Sequence, residues 1–365
     1  MSDLLYSEVE EDLRASVRDL FADKAAAASV LARTESAEPY DLKLWRTLAA
    51  ELGTAGLHVP EELGGQGAST RELAVVLEEL GRAVVPVPFL GSAVLATSAL
   101  LACDSDESGQ LLRRLAAGEA IGALAVTLST WPGAEFPTAA RADADGVLSG
   151  RIGLVADASV ADVLVVPALG PDGPGLYAVE GATVTEATSL DLTRRLADVT
   201  VDGAAGRLLA GPDRAAEALQ HALLVGAGLL ASEQLGVAQW CLDETVGYVK
   251  QRYQFGRPVG SFQALKHRLA DLYLELVTAR AAARNAADAL ADGRDVAIAV
   301  AVAQSACASV AVHAAEEAIQ LHGGIGMTWE HPAHLYLKRA KSDELALGTP
   351  GRHRAALAKL VDLPA

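Results

Sequence analysis

Residues 252–267 run RYQFGRPVGSFQALKH, a basic and aromatic strip broken by Gly and Pro in a chain of formal net charge −17. Arg252 and Arg257 are fixed cations. A helix beginning near Ser261, which can cap it, would add unpaired N–H groups and the positive end of its dipole. That combination suits an anion. Gln263 in the first turn can donate or accept a hydrogen bond, and Phe255 sets an apolar plate beside the charges, so the expected ligand carries both a phosphate and a ring. A second stretch, QLHGGIGMTWEH over residues 320–331, places Gly323 and Gly324 at the end of an apolar helical run, where backbone N–H groups can come close to a ligand. The same pair also suits a plain helix C-cap.

Other reactive residue types point to packing. Cys103, Cys241 and Cys307 are scattered without a CxxC spacing, which suggests small buried core residues and neither a disulfide framework nor a zinc site. Among the eight histidines, His331 and His334 come nearest to a ligand spacing but lack supporting acids, so no metal is expected. Trp45, Trp131, Trp240 and Trp329 are read as core or interface aromatics. So acidic a chain disfavours nucleic acid and anionic membrane as partners. The opening MSDLLYSEVEEDLRASVRDLF is acidic and amphipathic, with no basic n-region or apolar h-region, and no uncharged apolar run is counted as reaching the roughly 18 residues of a membrane span. A cytoplasmic location is expected.

With 51% apolar and 21% charged residues the chain is of globular type and long enough to bury a sizeable core. Residues 8–118 have helical periodicity, interrupted by GLHVPEELGGQGAS, where Pro60, Gly64, Gly65 and Gly67 forbid helix and Ser69 looks like an N-cap. From about 120 to 209 come short alternating runs such as DVLVVPAL and GLYAVEG, separated by Gly, Pro and Asp, the texture of a β domain. Helical periodicity then returns, with Phe262, Leu265, Leu269, Leu272 and Leu276 as one apolar seam. The run beginning DVAIAVAVAQSACASV is apolar nearly all round, so it belongs inside a bundle. The expected architecture is α+β and multidomain, with units at 1–119, 120–209 and 210–365.

In this helix, strand, helix order, the two strips and the loop GLHVPEELGGQG resemble the acyl-CoA dehydrogenase family over essentially the whole chain. The resemblance implies an α-helical domain, a β-barrel-like domain and a four-helix bundle, in a dimer of dimers with FAD between subunits. It further implies that Arg252, Gln254, Phe255, Gln263, Gln320, Gly323 and Gly324 reach across an interface to a neighbour's FAD, whose pyrophosphate is the anion.

The same resemblance fails at the chemistry, which needs a carboxylate to take the proton α to a thioester while flavin accepts the β hydride. In most members that Glu directly precedes a Gly-Thr; here Leu347 precedes Gly348 and Thr349. In others it lies near the start of the first bundle helix, where this chain has Gly226 and Ala227. Glu344, about one turn before Leu347, is the possible displaced base, although it and Asp343 also read as solvated helix charges. Trp131 and Phe136 stand where the family has a flavin-loop acid and Ser, and Leu154 and Ala156 where it has an aromatic and a hydroxyl beside the flavin ring. Groups serving the chain's own flavin are missing, whereas groups reaching to a neighbour's remain. The expectation is a base-less subunit in an α2β2 complex with a homologous catalytic chain that supplies most of the acyl-CoA contacts, similar to actinobacterial enzymes acting on steroid side-chain CoA thioesters and passing electrons to an electron-transfer flavoprotein. Trp131, Phe136 and Leu347 are the side chains suspected of closing its own pocket. The alternatives are a homotetramer using Glu344 as base and a flavin-free structural or regulatory paralogue.

Overall fold

The computed structural model describes residues 4–363. Six helices come first: α1 (Glu8–Lys24), α2 (Ala27–Thr34), α3 (Leu42–Arg46), α4 (Thr70–Ala83), α5 (Thr97–Cys103) and α6 (Asp106–Ala116). Ser7 with Glu10, and Ser69 with Glu72, form reciprocal capping boxes that start α1 and α4. Arg14 and Arg18 on α1 meet the buried Glu78 and Glu79 of α4, so the polar stripe of α1 is fixed by charge and its apolar stripe by packing.

Seven strands follow: β1 (Gly122–Leu124), β2 (Ala140–Ala142), β3 (Val147–Ala156), β4 (Val163–Gly170), β5 (Gly173–Val179), β6 (Thr183–Glu186) and β7 (Leu196–Ala210). Their order is β1-β4-β2-β3-β7-β5, and β4 also pairs with β5, so five strands close on themselves; β6 adds to β7. Closure leaves fewer free edges and gives the barrel a core of its own around Leu148, Val155, Val166 and Val199.

The last third is a helical bundle: α7 (Ala215–Gln251), then a small hairpin of β8 (Tyr253–Gln254) and β9 (Arg257–Pro258), then α8 (Gln263–Asp292), α9 (Val296–His322), α10 (Ala333–Leu345) and α11 (Pro350–Leu360). The α+β order of helical domain, strand barrel and helical bundle is the expected one. Helices α4 and α7 touch backbone to backbone: a Cβ at Gly236 would stand 1.9 Å from the Glu78 carbonyl oxygen, and one at Gly81 2.0 Å from that of Glu233. Only glycine permits that approach.

Helices α7 and α9 are long and apolar enough to cross a membrane by length and composition, so the expectation that no uncharged apolar run attains such length is corrected. The most apolar stretch of α7 is 89% buried inside the fold, because it is the central helix of the bundle. In α9 the corresponding share is 50%.

A buried ion cluster ties the strand region to the helical bundle. Arg194, ahead of β7, donates to Glu233 of α7 and Asp343 of α10, while Arg339 of α10 donates to Asp191, Thr193 and Glu233. Each of these charged groups is at most 5% exposed. Asp343 is therefore a core group and not a solvated helix charge. Burial and the nearby Glu233 push its carboxyl well above the usual carboxylate range.

Candidate functional site

The two sequence strips meet in space. Tyr248, in the last turn of α7, stacks on His322 at the end of α9 with ring centroids 4.4 Å apart, and its carbonyl accepts the Arg252 N–H at 2.9 Å. Arg268 of α8 donates to Glu317 of α9, an antiparallel register that brings Gln263 alongside the end of α9.

Arg252 is the C-cap of α7, directly after its last turn, and is already extended. The chain then makes the β8–β9 hairpin, whose two turn residues, Phe255 and Gly256, both have positive φ, 52° and 74°. That geometry matches the twist of the strands, but it is uncommon for a bulky residue. It leaves the Phe255 ring 89% exposed, edge-on to Phe262 at 6.2 Å, while the Arg257 guanidinium lies 3.9 Å over the same Phe262 ring. A ring and a cation are thus presented side by side. Ser261 does not cap the next helix: it sits in a 3-10 turn with its hydroxyl buried and without a partner among the described residues, and α8 begins at Gln263 after Phe262 with no side-chain cap. The first N–H groups of α8 are therefore left for something outside the helix.

At the end of α9, Gly323 takes φ 63° and ψ −138°, a conformation that side chains resist. A Cβ at Gly323 or Gly324 would meet nothing within 4 Å. Arg252, Gln254, Gln263, Gln320, Gly323 and Gly324 are all exposed. Among the described residues, the side chains of Arg252, Gln254, Gln263 and Gln320 have no hydrogen-bond or ion-pair partner. This face combines free donors, two cations and an exposed ring, which is what an anionic ligand with a flat ring system requires.

The region around Leu347 is built the opposite way. Leu347 is fully buried with φ 53°; its N–H donates to the Leu128 carbonyl at 2.8 Å and its own carbonyl accepts from His353 Nε2 at 3.0 Å. Leu128 in turn donates to the carbonyl of Leu154 at 3.0 Å. Leu347 and Leu95 close over Gly226, where an added Cβ would lie 3.1 Å and 2.4 Å from their methyl groups. The TWPGAEFP loop is drawn down onto this spot. Gln220 of α7 accepts from Gly133 N–H and donates to the Ala134 carbonyl, Trp131 packs against Gly348, and Arg352 covers the Trp131 ring at 3.8 Å. Phe136 is partly buried against the main core. Leu154 and Ala156 stand at the end of β3, Leu154 with a positive φ.

Burial keeps the His353 pKa below its ordinary value, and its Nε2 is already committed to Leu347. Glu344, half-buried on α10, is hydrogen-bonded by Lys341 at 3.3 Å, and Lys341 also lies near Glu316. The carboxylate is thus engaged with a surface lysine of its own helix.

Two features escaped the sequence reading. The Tyr248–His322 stack that joins the strips is one; its faint signal is that Tyr248 lies one turn before Arg252 and His322 directly before Gly323. The other is that Glu244, His322 and His331 come together with one ligand atom each within 4.8 Å of the others. Three separate elements supply them, so no local spacing announces them.

Comparison with known proteins agrees with this architecture. The N-terminal domain model of acyl-CoA dehydrogenases matches residues 7–119, and the C-terminal domain model matches residues 213–361. The chain is 40% identical over 344 residues to the acyl-CoA dehydrogenase IpdE2 of Mycolicibacterium smegmatis, covering 94% of this chain and 96% of that one. Among solved structures it superposes on a variant of the Tcur3481–Tcur3483 steroid ACAD with TM-score 0.85 and 32% identity, covering 97% and 98% of the two chains. The ChsE4–ChsE5 complex of Mycobacterium tuberculosis gives TM-score 0.88 and 29% identity over the full length of both.

Proposed function

This chain belongs to the acyl-CoA dehydrogenase family of flavoprotein oxidoreductases, and from that premise we propose that it is the base-less subunit of a heteromeric FAD-dependent acyl-CoA dehydrogenase. One observation carries the reading: the face that would serve a neighbour's flavin is open and its donors are uncommitted, whereas the position of the chain's own base is a buried leucine under a packed loop. A homo-oligomer losing activity would have no reason to keep one half of the machinery and fill in the other.

In the proposed α2β2 assembly, Arg252 and the first N–H groups of α8 neutralise the pyrophosphate of the partner's FAD. Gly323 and Gly324 let the backbone come close, Phe255 packs on the cofactor, and Gln254, Gln263 and Gln320 orient it. Bound there, FAD supplies the hydride acceptor for α,β-dehydrogenation of an acyl-CoA to a trans-2-enoyl-CoA. The catalytic carboxylate and most acyl-CoA contacts belong to the homologous partner. Electrons leave to an electron-transfer flavoprotein. The similarity to a steroid ACAD favours a steroid CoA thioester as substrate, and the proposed location is the cytoplasm. The exposed Tyr273, Leu274 and Val277, on the side of α8 away from the buried Leu272 and Leu276, suit burial against another subunit.

The test is the flavin content of the complex purified with its homologous partner, read from the 450 nm absorbance. About one FAD per two chains, with little on this chain alone, is the expected result. One flavin per chain in a homo-oligomer would overturn the reading and return attention to Glu344. A complex without flavin would support the structural paralogue.

A further inference from the structure

We propose that Glu244, His322 and His331 form a binding site for a late first-row divalent cation, Zn2+ foremost. The three residues come from the last third of α7, the end of α9 and the turn before α10, and their ligand atoms lie within 4.8 Å of one another. This inference is independent of the flavin reading.

His322 is the anchor. It is 2% exposed, and its Nδ1 stands 2.6 Å from the Ala318 carbonyl oxygen. A carbonyl can only accept, so Nδ1 carries the proton and the lone pair falls on Nε2, which is buried with no partner among the described residues. Leaving a buried acceptor orphaned costs its full desolvation penalty. A histidine whose other nitrogen is tied to a backbone carbonyl is also the arrangement that fixes an imidazole for a metal.

His331 places Nε2 3.9 Å from Glu244 Oε1, and its ring lies 4.1 Å from that of His322. Burial, with His322 and His334 nearby, pushes its pKa down to about 4, so the imidazole is neutral at physiological pH, the form that ligates. One bond opposes binding: the Ala333 N–H donates to His331 Nδ1 at 3.2 Å. Coordination through Nε2 moves the ring proton to Nδ1 and gives up that long contact. Glu244, with its side chain 47% exposed, supplies the anionic ligand and an opening to solvent through which the ion enters and a water completes the shell. Two imidazoles and a carboxylate suit Zn2+ better than Mg2+ or Ca2+, which prefer all-oxygen sets. Tetrahedral bonds of about 2.0–2.1 Å require the donors to draw together by roughly an ångström, a movement within reach of the half-exposed Glu244 rotamer. The ion would clamp α7, the end of α9 and the entry to α10.

The full-length chain, stripped with chelator, should bind about one Co2+ with intense d–d absorption between about 500 and 650 nm, and Zn2+ should displace it. His331→Ala and Glu244→Gln should each weaken Zn2+ binding tenfold or more in calorimetric titration, whereas His334→Ala, beside the cluster, should bind like the parent. Saturating Zn2+ should also raise the thermal midpoint of the parent and not of Glu244→Gln. Absence of saturable binding, or binding that survives both ligand substitutions, would overturn the proposal. Because Glu244 is half-exposed, Glu244→Gln keeps the test decisive even if His331→Ala does not fold.

Discussion

Two regions of this molecule are built in opposite ways. Around Leu347 the groups are apolar or engaged: Leu347 and Leu95 pack at Gly226, Trp131 lies under Arg352, and the Leu347 N–H is already bonded to the Leu128 carbonyl. Around Phe255 and Gly323 the chain holds a bulky residue at positive φ and, among the described residues, leaves the side chains of Arg252, Gln254, Gln263 and Gln320 without partners. The first region is core. The second keeps costly features that the isolated chain does not use, and such features persist where something outside the chain rewards them.

That contrast can be broken by substitution, because the closed region should report on stability and the open face on flavin. Arg339→Ala removes one partner from the buried cluster and leaves Glu233 and Asp191 short of a cation; a loss of about 3–5 kcal/mol is expected, measured by denaturant unfolding. Leu347→Ala should cost about 2–4 kcal/mol through lost burial and the cavity it leaves, without creating turnover. An active or fully stable Leu347→Ala protein would contradict a sealed site. Acidification should act in the same direction. Burial holds both His58 and His331 at about 4, below the 6.5 of an unfolded histidine, so the unfolded chain takes up protons first. Their contribution is complete above about 6.5 and is lost as pH falls toward 4, and the thermal midpoint should drop across that window.

The open face should behave otherwise. Arg252→Ala with Phe255→Ala should change stability by less than about 0.5 kcal/mol yet lower the flavin content of the assembled complex about tenfold or more. Equal losses of stability and flavin would show that these residues are structural. Smallest of all is Glu344→Gln, whose half-exposed pair with Lys341 is worth about 0–1 kcal/mol; turnover of the complex should be unchanged within error. A complete loss of turnover would establish Glu344 as the base.

Much of this was legible in the chain. Helical and alternating periodicities marked the three textures, Ser69 marked the start of α4, and Gly323 marked the end of α9, because local sterics and hydrogen bonding decide such points within a few residues. The absence of a carboxylate before Gly348 was visible as a letter. Local reading went astray where a competitor lay far away. Ser261 has the chemistry of a cap, but the 3-10 turn moved the helix start two residues on. Asp343 has the look of a surface acid in KSDELALG, yet Arg194 draws it into the core across almost half the chain.

The sequence by itself determined the order of helices, strands and helices, the leucine at 347 before Gly348 and Thr349, and the two glycine-broken strips, since each is a matter of residue type and short-range geometry. Only the tertiary structure decided that Leu347 is sealed, that Tyr248 and His322 join the strips, and that Glu244 meets His322 and His331. Those outcomes rest on contacts between elements remote in sequence, where burial and desolvation, which no local pattern encodes, set the energy.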